Sequence, residues 1–442
     1  MQILTLSPAR LRGQAQVPPA KSTVHRALIS AALGQKPCLL TGFSLPLCDD
    51  IQATLNGIAA FGASAQMEGD AIRVFPAPPV GEEQGPAVRC RVNACAASLR
   101  MLIPVFLARG QRVRLVMEPG LARRPLDAFV PLMARLGASL TPVPAEEDGL
   151  CALELNGFMP AGQYEIDGSQ SSQFASGMLL ALAHGVDEQR RPAPSTLTVT
   201  GPIVSRPYLD MTLNCLRLMG TEVREESEGV FHLMPSDKPA ADHMAMPGDW
   251  SQAAVLLCVD AMGGDVALKG MVLDGSDGQG DARVAEVLGR MGLQLQTQNG
   301  LLRAIRPTEG LTATEIDCRN IPDLAPILAL TCTQARGQSV LRGVSRLRIK
   351  ECDRLEATCQ LLGQLGAEAQ IQDGSDTLIV HGPAHFRGGF QADAWGDHRM
   401  AMFLAAAALI SDMPVSLTGW ESVSKSWPGF WDTYRALGGM AE

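Results

Sequence analysis

The chain has 442 residues, 46% of them hydrophobic and 19% charged, more apolar mass than one ordinary core accommodates. A formal net charge of −9 at pH 7 excludes a general affinity for nucleic acid or for a membrane surface. Eleven scattered cysteines without C-x-x-C spacing argue for reduced thiols in a cytoplasmic protein, against a disulfide framework or a zinc site.

In chain order, Met1-Gln2-Ile3-Leu4 begins no signal peptide, and Gln2–Leu6 and Gly13–Val17 read as strands. Lys21-Ser22 then opens the first of six similar joins, where a short polar loop runs into small and apolar residues of helical pattern. The others are Ala97-Ser98, Ser171-Ser172, Ser251-Gln252, Asp323-Leu324 and His398-Arg399, roughly 70–80 residues apart. A helix N-terminus presents unpaired N–H groups and the positive end of a dipole, so it seats anions. Six such joins imply a multiply anionic small molecule, although Ser251 fits an ordinary N-cap equally well. The longest apolar run, Met400 to Ile410, is too short to span a bilayer.

A second mark has the same period. A hydrophobic residue and a glycine recur at Phe61-Gly62, Leu136-Gly137, Met219-Gly220, Met291-Gly292, Leu365-Gly366 and Leu437-Gly438, in steps of 75, 83, 72, 74 and 72. Glycine is expected there because the residue closing a helix takes a left-handed conformation. Hairpins follow the first five marks, as in Leu293–Gln296, Asn299-Gly300, Leu301–Ile305 and in Ala367–Ile371, Asp373-Gly374-Ser375-Asp376, Thr377–His381. The sixth mark lies near Glu442, so both N-terminal strands are expected to supply its hairpin. Three repeats on each side of a join near Lys238-Pro239-Ala240 predict an α/β protein of two similar domains. One comprises residues 19–241, the other residues 1–18 with 242–442. Pro76–Pro86 and Asp187–Pro194 read as surface excursions. For all six joins to share a ligand, both domains must face one cleft.

Within these joins Lys21 and Arg26 flank Ser22, either as an anion seat or as a solvated cationic face. Asp167-Gly168-Ser169-Gln170-Ser171-Ser172-Gln173-Phe174 offers short neutral donors for a phosphate or carboxylate, and Ser205-Arg206-Pro207-Tyr208 adds two hydroxyls, with packing an alternative for Tyr208. Arg348-Ile349-Lys350-Glu351-Cys352-Asp353-Arg354 mixes cations and acids. On a helix start Lys350 and Arg354 share a face, which also suits a plain salt-bridge face. In Gly396-Asp397-His398-Arg399-Met400-Ala401-Met402 the polar head precedes eleven uncharged residues. A charge at the mouth of a buried helix requires a partner or a ligand. Ile321-Pro322-Asp323 places a carboxylate at another mouth, and Lys425-Ser426-Trp427-Pro428 a further lysine. Asp353 and Asp397 fit structural partners of the arginines beside them. No metal-ligand spacing or nucleotide loop appears, so no cofactor is expected.

Taken in order, these segments resemble the 5-enolpyruvylshikimate-3-phosphate synthase family. The resemblance rests on eight motifs over almost the whole chain: Lys-Ser-x-x-x-Arg, Asp-Gly-Ser-x-Ser-Ser-Gln-Phe, Ser-Arg-Pro-Tyr, Gly-Asp-x-Ser-x-Ala-Ala, Ile-Pro-Asp, Arg-Ile-Lys-Glu-x-Asp-Arg, Asp-His-Arg-Met-Ala-Met and Lys-Ser-Trp-Pro. It implies two domains of three βαβαββ-type repeats, an inverse α/β barrel with the ligand cleft between them. It also implies transfer of the enolpyruvyl group of phosphoenolpyruvate to shikimate 3-phosphate by a monomer without a cofactor. Lys21, Ser22, Arg26, Ser171, Ser172, Gln173, Ser205, Tyr208, Asp323 and Lys350 would then hold shikimate 3-phosphate. Arg124, Arg354, Arg399 and Lys425, with Gln173 and Ala96 alongside, would hold phosphoenolpyruvate. Asp323 would take the proton of the 5-hydroxyl. Glu351 would protonate the methylene carbon, with Lys21 assisting and His398 in the same network.

One segment departs from the family pattern. Asn93-Ala94-Cys95-Ala96-Ala97-Ser98-Leu99-Arg100, aligned on Arg100, puts Ala96 where the family has glycine beside the pocket in which glyphosate replaces phosphoenolpyruvate. The added methyl is expected to crowd the inhibitor more than the substrate. Two rivals stand beside this reading. A sister enzyme acting on UDP-N-acetylglucosamine carries a cysteine before its Arg-Pro pair, whereas Pro119-Gly120-Leu121-Ala122-Arg123-Arg124-Pro125 has none. A non-catalytic anion binder has no need of both Asp323 and Glu351.

Overall fold

The structure, a computed structural model, describes residues 2–79, 86–236, 238–372, 374 and 376–442. Residues 80–85 of the proposed excursion at Pro76–Pro86, and Met1, Asp373 and Ser375, lie outside the described residues.

Among the described residues the strands form six small sheets of one recurring order. In one of them Val88–Asn93 runs parallel to Val113–Met117, which pairs antiparallel with Cys151–Asn156, and that strand pairs antiparallel with Ser139–Val143. Sheets this small cannot bury their inner faces alone, so each packs on helices. The helices that follow the six joins are buried nearly all round, as befits the centre of a core. Every residue of Trp250–Ala261 and of His398–Ala408 is buried, including the polar ones at their heads. No described helix is long and apolar enough to cross a membrane.

The chain divides into two compact units, Lys21–Met246 and Met1–Ala20 with Pro247–Glu442, each with its own hydrophobic core. His243–Ala245 pairs parallel with Cys38–Thr41 and so completes the first sheet of the Lys21–Met246 unit. That pairing carries the boundary past the Pro239 join to Met246.

The repeat marks have a clear backbone basis. All six glycines of the hydrophobic-Gly pairs are left-handed, with φ between 60° and 104°. Asn299 and Gly300, with φ of 52° and 75°, form the two-residue turn joining Gln294–Gln298 to Leu301–Ile305.

The N-terminal strands correct one expectation. Leu4–Ser7 does enter the last sheet, between Val415–Thr418 and Met440–Ala441. Arg12–Gln16 does not follow it, and pairs parallel with Asp265–Lys269 in the sheet of the fourth repeat. That repeat lacks a first strand of its own because Lys21–Met246 is inserted ahead of it. Alternation in a five-residue strand fixes which face is buried, not which sheet edge it joins.

Candidate active site

In the Lys21–Met246 unit, three helices begin at sequence-predicted joins: Lys21–Leu33, Ala96–Ala108 and Ser172–Leu182. The last two approach closely at their heads. A Cβ on Gly177 would lie 2.8 Å from the Arg100 carbonyl oxygen, so glycine permits the contact. Lys21 donates from Nζ to Asp50 Oδ2 at 2.6 Å. Burial opposes its charge, but Asp50 outweighs that cost and holds the ammonium above its ordinary range.

Arg26 is neither a solvated face nor turned outward. It is 1% exposed, and it donates to Thr212 Oγ1 at 2.7 Å, the Ser22 carbonyl at 2.6 Å and Ser176 Oγ at 3.2 Å. Burial among neutral partners lowers its pKa to about 10. It therefore ties the Lys21 helix to Ser172–Leu182 and Arg206–Leu218.

Gln173 Oε1 accepts from Arg100 at 3.1 Å, while Arg100 also donates to the Pro125 carbonyl at 3.0 Å and lies 4.8 Å from the Phe174 ring centre. Arg100 thus fixes the turn that carries Arg124. Ser171 caps its helix by accepting from the Gln173 N–H at 3.3 Å, and Ser172 is buried behind it. Ser205 stands at the position before Arg206–Leu218 in a left-handed conformation, φ 54°, and Tyr208 sits half-buried one turn on. Ala96 is the first residue of its helix and 6% exposed, and Cys95 is the cap, its Sγ accepting from the Ser98 N–H at 3.3 Å.

The other unit gathers the remaining candidates more tightly. Arg354, 2% exposed at its side chain, donates to Asp397 Oδ2 at 2.6 Å, Glu351 Oε2 at 2.7 Å and Asp323 Oδ1 at 2.9 Å. Lys350 donates to the same Asp323 oxygen at 3.0 Å, and Arg399 NH2 lies 3.6 Å from its other oxygen. Lys425 Nζ is 3.4 Å from Glu351 Oε1, on a segment anchored by Trp427 stacked edge-on to Phe430. His398 Nδ1 stands 3.6 Å from Asp397, which is fully buried and caps His398–Ala408 by accepting from the Arg399 N–H at 2.9 Å. Arg399 NH1 donates to the Ser251 carbonyl at 3.0 Å, so one arginine joins the heads of three helical segments.

These charges shift one another. Burial raises the cost of ionising Asp323, but Lys350, Arg354 and Arg399 outweigh it and hold the carboxyl well below its usual range. Burial lowers the pKa of Lys350 against the pull of Asp323. Arg354 stands above its ordinary value despite burial, chiefly through Asp397.

Two local expectations need correction. Lys350 and Arg354 do not share a helix face: Ser345–Ile349 is a 3-10 turn, and Arg354–Gln364 starts only after Asp353, which caps it by accepting from the Glu356 N–H at 3.0 Å. The two cations meet through Asp323 instead. Ser251 is not a cap either, since Asp249 accepts from the Ser251 and Gln252 N–H groups at 2.8 and 3.3 Å. Ser251 Oγ instead donates to Asp281, which burial and then the charge of Asp323 push up to about 6.

Asp50 and Asp281 carry no sequence signal of their roles, and Arg100 stands out in sequence only as the residue that aligns the Ala96 segment. Asp50 is the second of two acids opening a helix, a pattern that dipole stabilisation alone explains. Nothing local separates Arg100 or Asp281 from other charged residues in helix heads.

With this geometry in view, the family model described as EPSP synthase (3-phosphoshikimate 1-carboxyvinyltransferase) matches residues 6–434. A protein of Clostridium beijerinckii named 3-phosphoshikimate 1-carboxyvinyltransferase is 32% identical over 446 residues, covering 99% of this chain and 98% of its own. One of the same name from Clostridioides difficile is 30% identical, covering 100% and 99%. Among solved structures, EPSP synthase from Acinetobacter baumannii shares the fold with a TM-score of 0.76 at 23% identity, covering 100% of this chain and 99% of that one. The enolpyruvyl transferase NikO from Streptomyces tendae shares it with a TM-score of 0.71 at 17% identity, covering 100% and 98%. Matched along nearly its full length, the chain belongs to the EPSP synthase (3-phosphoshikimate 1-carboxyvinyltransferase) family.

Proposed function

We propose that this protein transfers the enolpyruvyl group of phosphoenolpyruvate to the 5-hydroxyl of shikimate 3-phosphate and releases phosphate, a step in aromatic amino-acid biosynthesis. The observation that carries this reading is one buried guanidinium, that of Arg354, holding Asp323 at 2.9 Å and Glu351 at 2.7 Å. Addition of an alcohol across an enol double bond requires a base at oxygen and an acid at carbon. Asp323 takes the hydroxyl proton as the carbon–oxygen bond forms. Glu351 gives a proton to the methylene carbon, which becomes a methyl group in the tetrahedral intermediate. Loss of a methyl proton and cleavage of the carbon–oxygen bond to phosphate then yield the product.

Asp323 is a weak base while three cations surround it. The phosphate and carboxylate of phosphoenolpyruvate compete for Lys350, Arg354 and Arg399, and that competition raises the basicity of Asp323 when substrate is bound. Arg124, Arg354, Arg399 and Lys425 are assigned to phosphoenolpyruvate, with Gln173 and Ala96 beside it. Lys21, Ser22, Ser171, Ser172, Gln173, Ser205, Tyr208 and Lys350 are assigned to shikimate 3-phosphate. Lys21, held protonated by Asp50, supports the reaction as a fixed charge more readily than as a proton donor. Arg26 supports the Lys21 helix from behind, and His398 orients Asp397.

The eleven cysteines are all free thiols, which supports a reducing compartment, the cytoplasm. Among the described residues eleven large apolar side chains are exposed, and they are distributed over all six repeats, which supports a monomer. Phosphate release on mixing shikimate 3-phosphate with phosphoenolpyruvate tests the assignment. Release only with UDP-N-acetylglucosamine as acceptor would transfer it to the sister reaction, and silence with both acceptors would leave a binder. Ala96→Gly is expected to lower the glyphosate concentration for half-inhibition by about 10–200-fold, the range for one methyl-sized difference in a pocket. Wild-type inhibition already at micromolar glyphosate would overturn that account of Ala96.

A further inference from the structure

His25, Asp50 and Cys95 lie far apart in sequence and play no part in the assignment above, apart from the contact of Asp50 with Lys21. They meet where the Lys21–Leu33, Asp49–Ala60 and Ala96–Ala108 helices come together. His25 and Cys95 are 1% exposed and Asp50 is 4% exposed. One donor atom from each lies within 4.8 Å of the other two, and His25 Nε2 is 4.0 Å from Cys95 Sγ. Ligands of a tetrahedral zinc ion stand about 3.3–3.8 Å apart, given metal bonds of about 2.0–2.3 Å. Contraction by about 1 Å brings the cluster to that spacing.

Its surroundings already orient the donors. His25 Nδ1 is 2.6 Å from Thr54 Oγ1, Thr54 Oγ1 is 2.8 Å from Ser98 Oγ, and Ser98 Oγ donates to Cys95 Sγ at 3.1 Å. The single hydroxyl hydrogen of Thr54 has three acceptors in reach: Ser98 Oγ, the Asp50 carbonyl 3.4 Å away, and His25 Nδ1. When it goes to Ser98 or to Asp50, Thr54 accepts from Nδ1–H, and that tautomer has its lone pair on Nε2, on the side of Cys95. Fixing a histidine tautomer through its far nitrogen is how metal sites prepare their ligands. Burial keeps this imidazole neutral by lowering its pKa to about 3.

We propose that His25, Asp50 and Cys95 form a binding site for a thiophilic divalent cation, Zn²⁺ in the first place, and that its occupancy suppresses turnover. On binding, the Cys95 sulfur–hydrogen bond is exchanged for a metal–sulfur bond and the proton leaves to solvent. No electron transfer is involved. Thiolate and carboxylate neutralise the cation, and water takes the fourth position. The ammonium of Lys21, now 2.6 Å from Asp50, then loses its counter-ion to the metal. The loss of turnover rests on the role assigned to Lys21 above, whereas metal binding itself does not.

The test uses the full chain, freed of metal by a chelator and kept reduced with a phosphine, and titrated with Co²⁺. The expected result is a near-ultraviolet thiolate-to-cobalt charge-transfer band saturating at one equivalent and bleached by Zn²⁺. The band is lost in Cys95→Ser and in His25→Asn, which can still donate to Thr54. Absence of the band in the wild type, or its persistence unchanged in folded Cys95→Ser, overturns the site. Should Cys95→Ser fail to fold, His25→Asn decides in the same way. In chelator both wild type and His25→Asn are expected to turn over alike, and stoichiometric Zn²⁺ is expected to inhibit only the wild type. Equal inhibition of both overturns the regulatory claim. No turnover even in chelator counts against the assigned reaction, and the cobalt band decides the site independently.

Discussion

Asp323→Asn is expected to slow phosphate release from phosphoenolpyruvate and shikimate 3-phosphate by about 10²–10⁴-fold, the usual worth of a positioned general base. Substrate binding should weaken far less, because the amide keeps the size and one acceptor of the carboxylate. Loss confined to KM, with kcat intact, would remove Asp323 from the role of base. A second readout concerns stability. The folded-state pKa of Asp323 is depressed by Lys350, Arg354 and Arg399 against the opposing effect of burial. Its contribution is therefore present above the unfolded value of about 3.9 and is lost as pH falls through the lower folded value. Below about pH 4 the unfolding midpoint of Asp323→Asn should thus vary less with pH than that of the wild type. A parallel decline of both proteins in acid would show that the ion cluster does not hold the carboxylate as described.

Arg354→Met is expected to be the more destructive change. Asp397 is wholly buried and loses its 2.6 Å partner, while Asp323 and Glu351 lose the fork between them. Removing one member of a buried ion pair costs about 3–5 kcal/mol, because the remaining charge has neither water nor partner. Denaturant unfolding should show that loss in the Pro247–Glu442 part of the chain. The double variant Arg354→Met with Asp397→Asn should recover much of it, since no charge is then stranded. Both proteins should be inactive, as phosphoenolpyruvate loses a guanidinium in each. Arg354→Lys is expected to fail as well, because one ammonium cannot reach three carboxylates as a planar fork does. Unchanged stability of Arg354→Met would contradict the burial and pairing described for this residue.

The division between what was legible and what was not follows from the range of the interactions. Helix heads were legible because capping and apolar periodicity are local: Lys21, Ser172 and His398 each begin a helix in the structure. The left-handed glycines were legible for the same reason, since one Cβ clash decides them. The partners of the charged residues were not. Lys21 reaches Asp50, Arg354 reaches Asp397, and Arg399 reaches the Ser251 carbonyl across 29, 43 and 148 residues. A charge announces in sequence that it needs a partner, but not which one. Arg26 shows the limit most plainly, being placed by its motif and yet turned inward onto Thr212 and Ser176.

Six repeats, the positions of the helix mouths and the kinds of charge placed there follow from local residue order, because hydrophobic period, capping and turn chemistry act over a few residues. Long-range packing is what joins Arg12–Gln16 to the fourth repeat, sets Asp323 among three cations, and brings His25, Asp50 and Cys95 together. Those outcomes depend on which open sheet edge or buried pocket the packed chain offers, and that is settled only when distant segments compete for the same space.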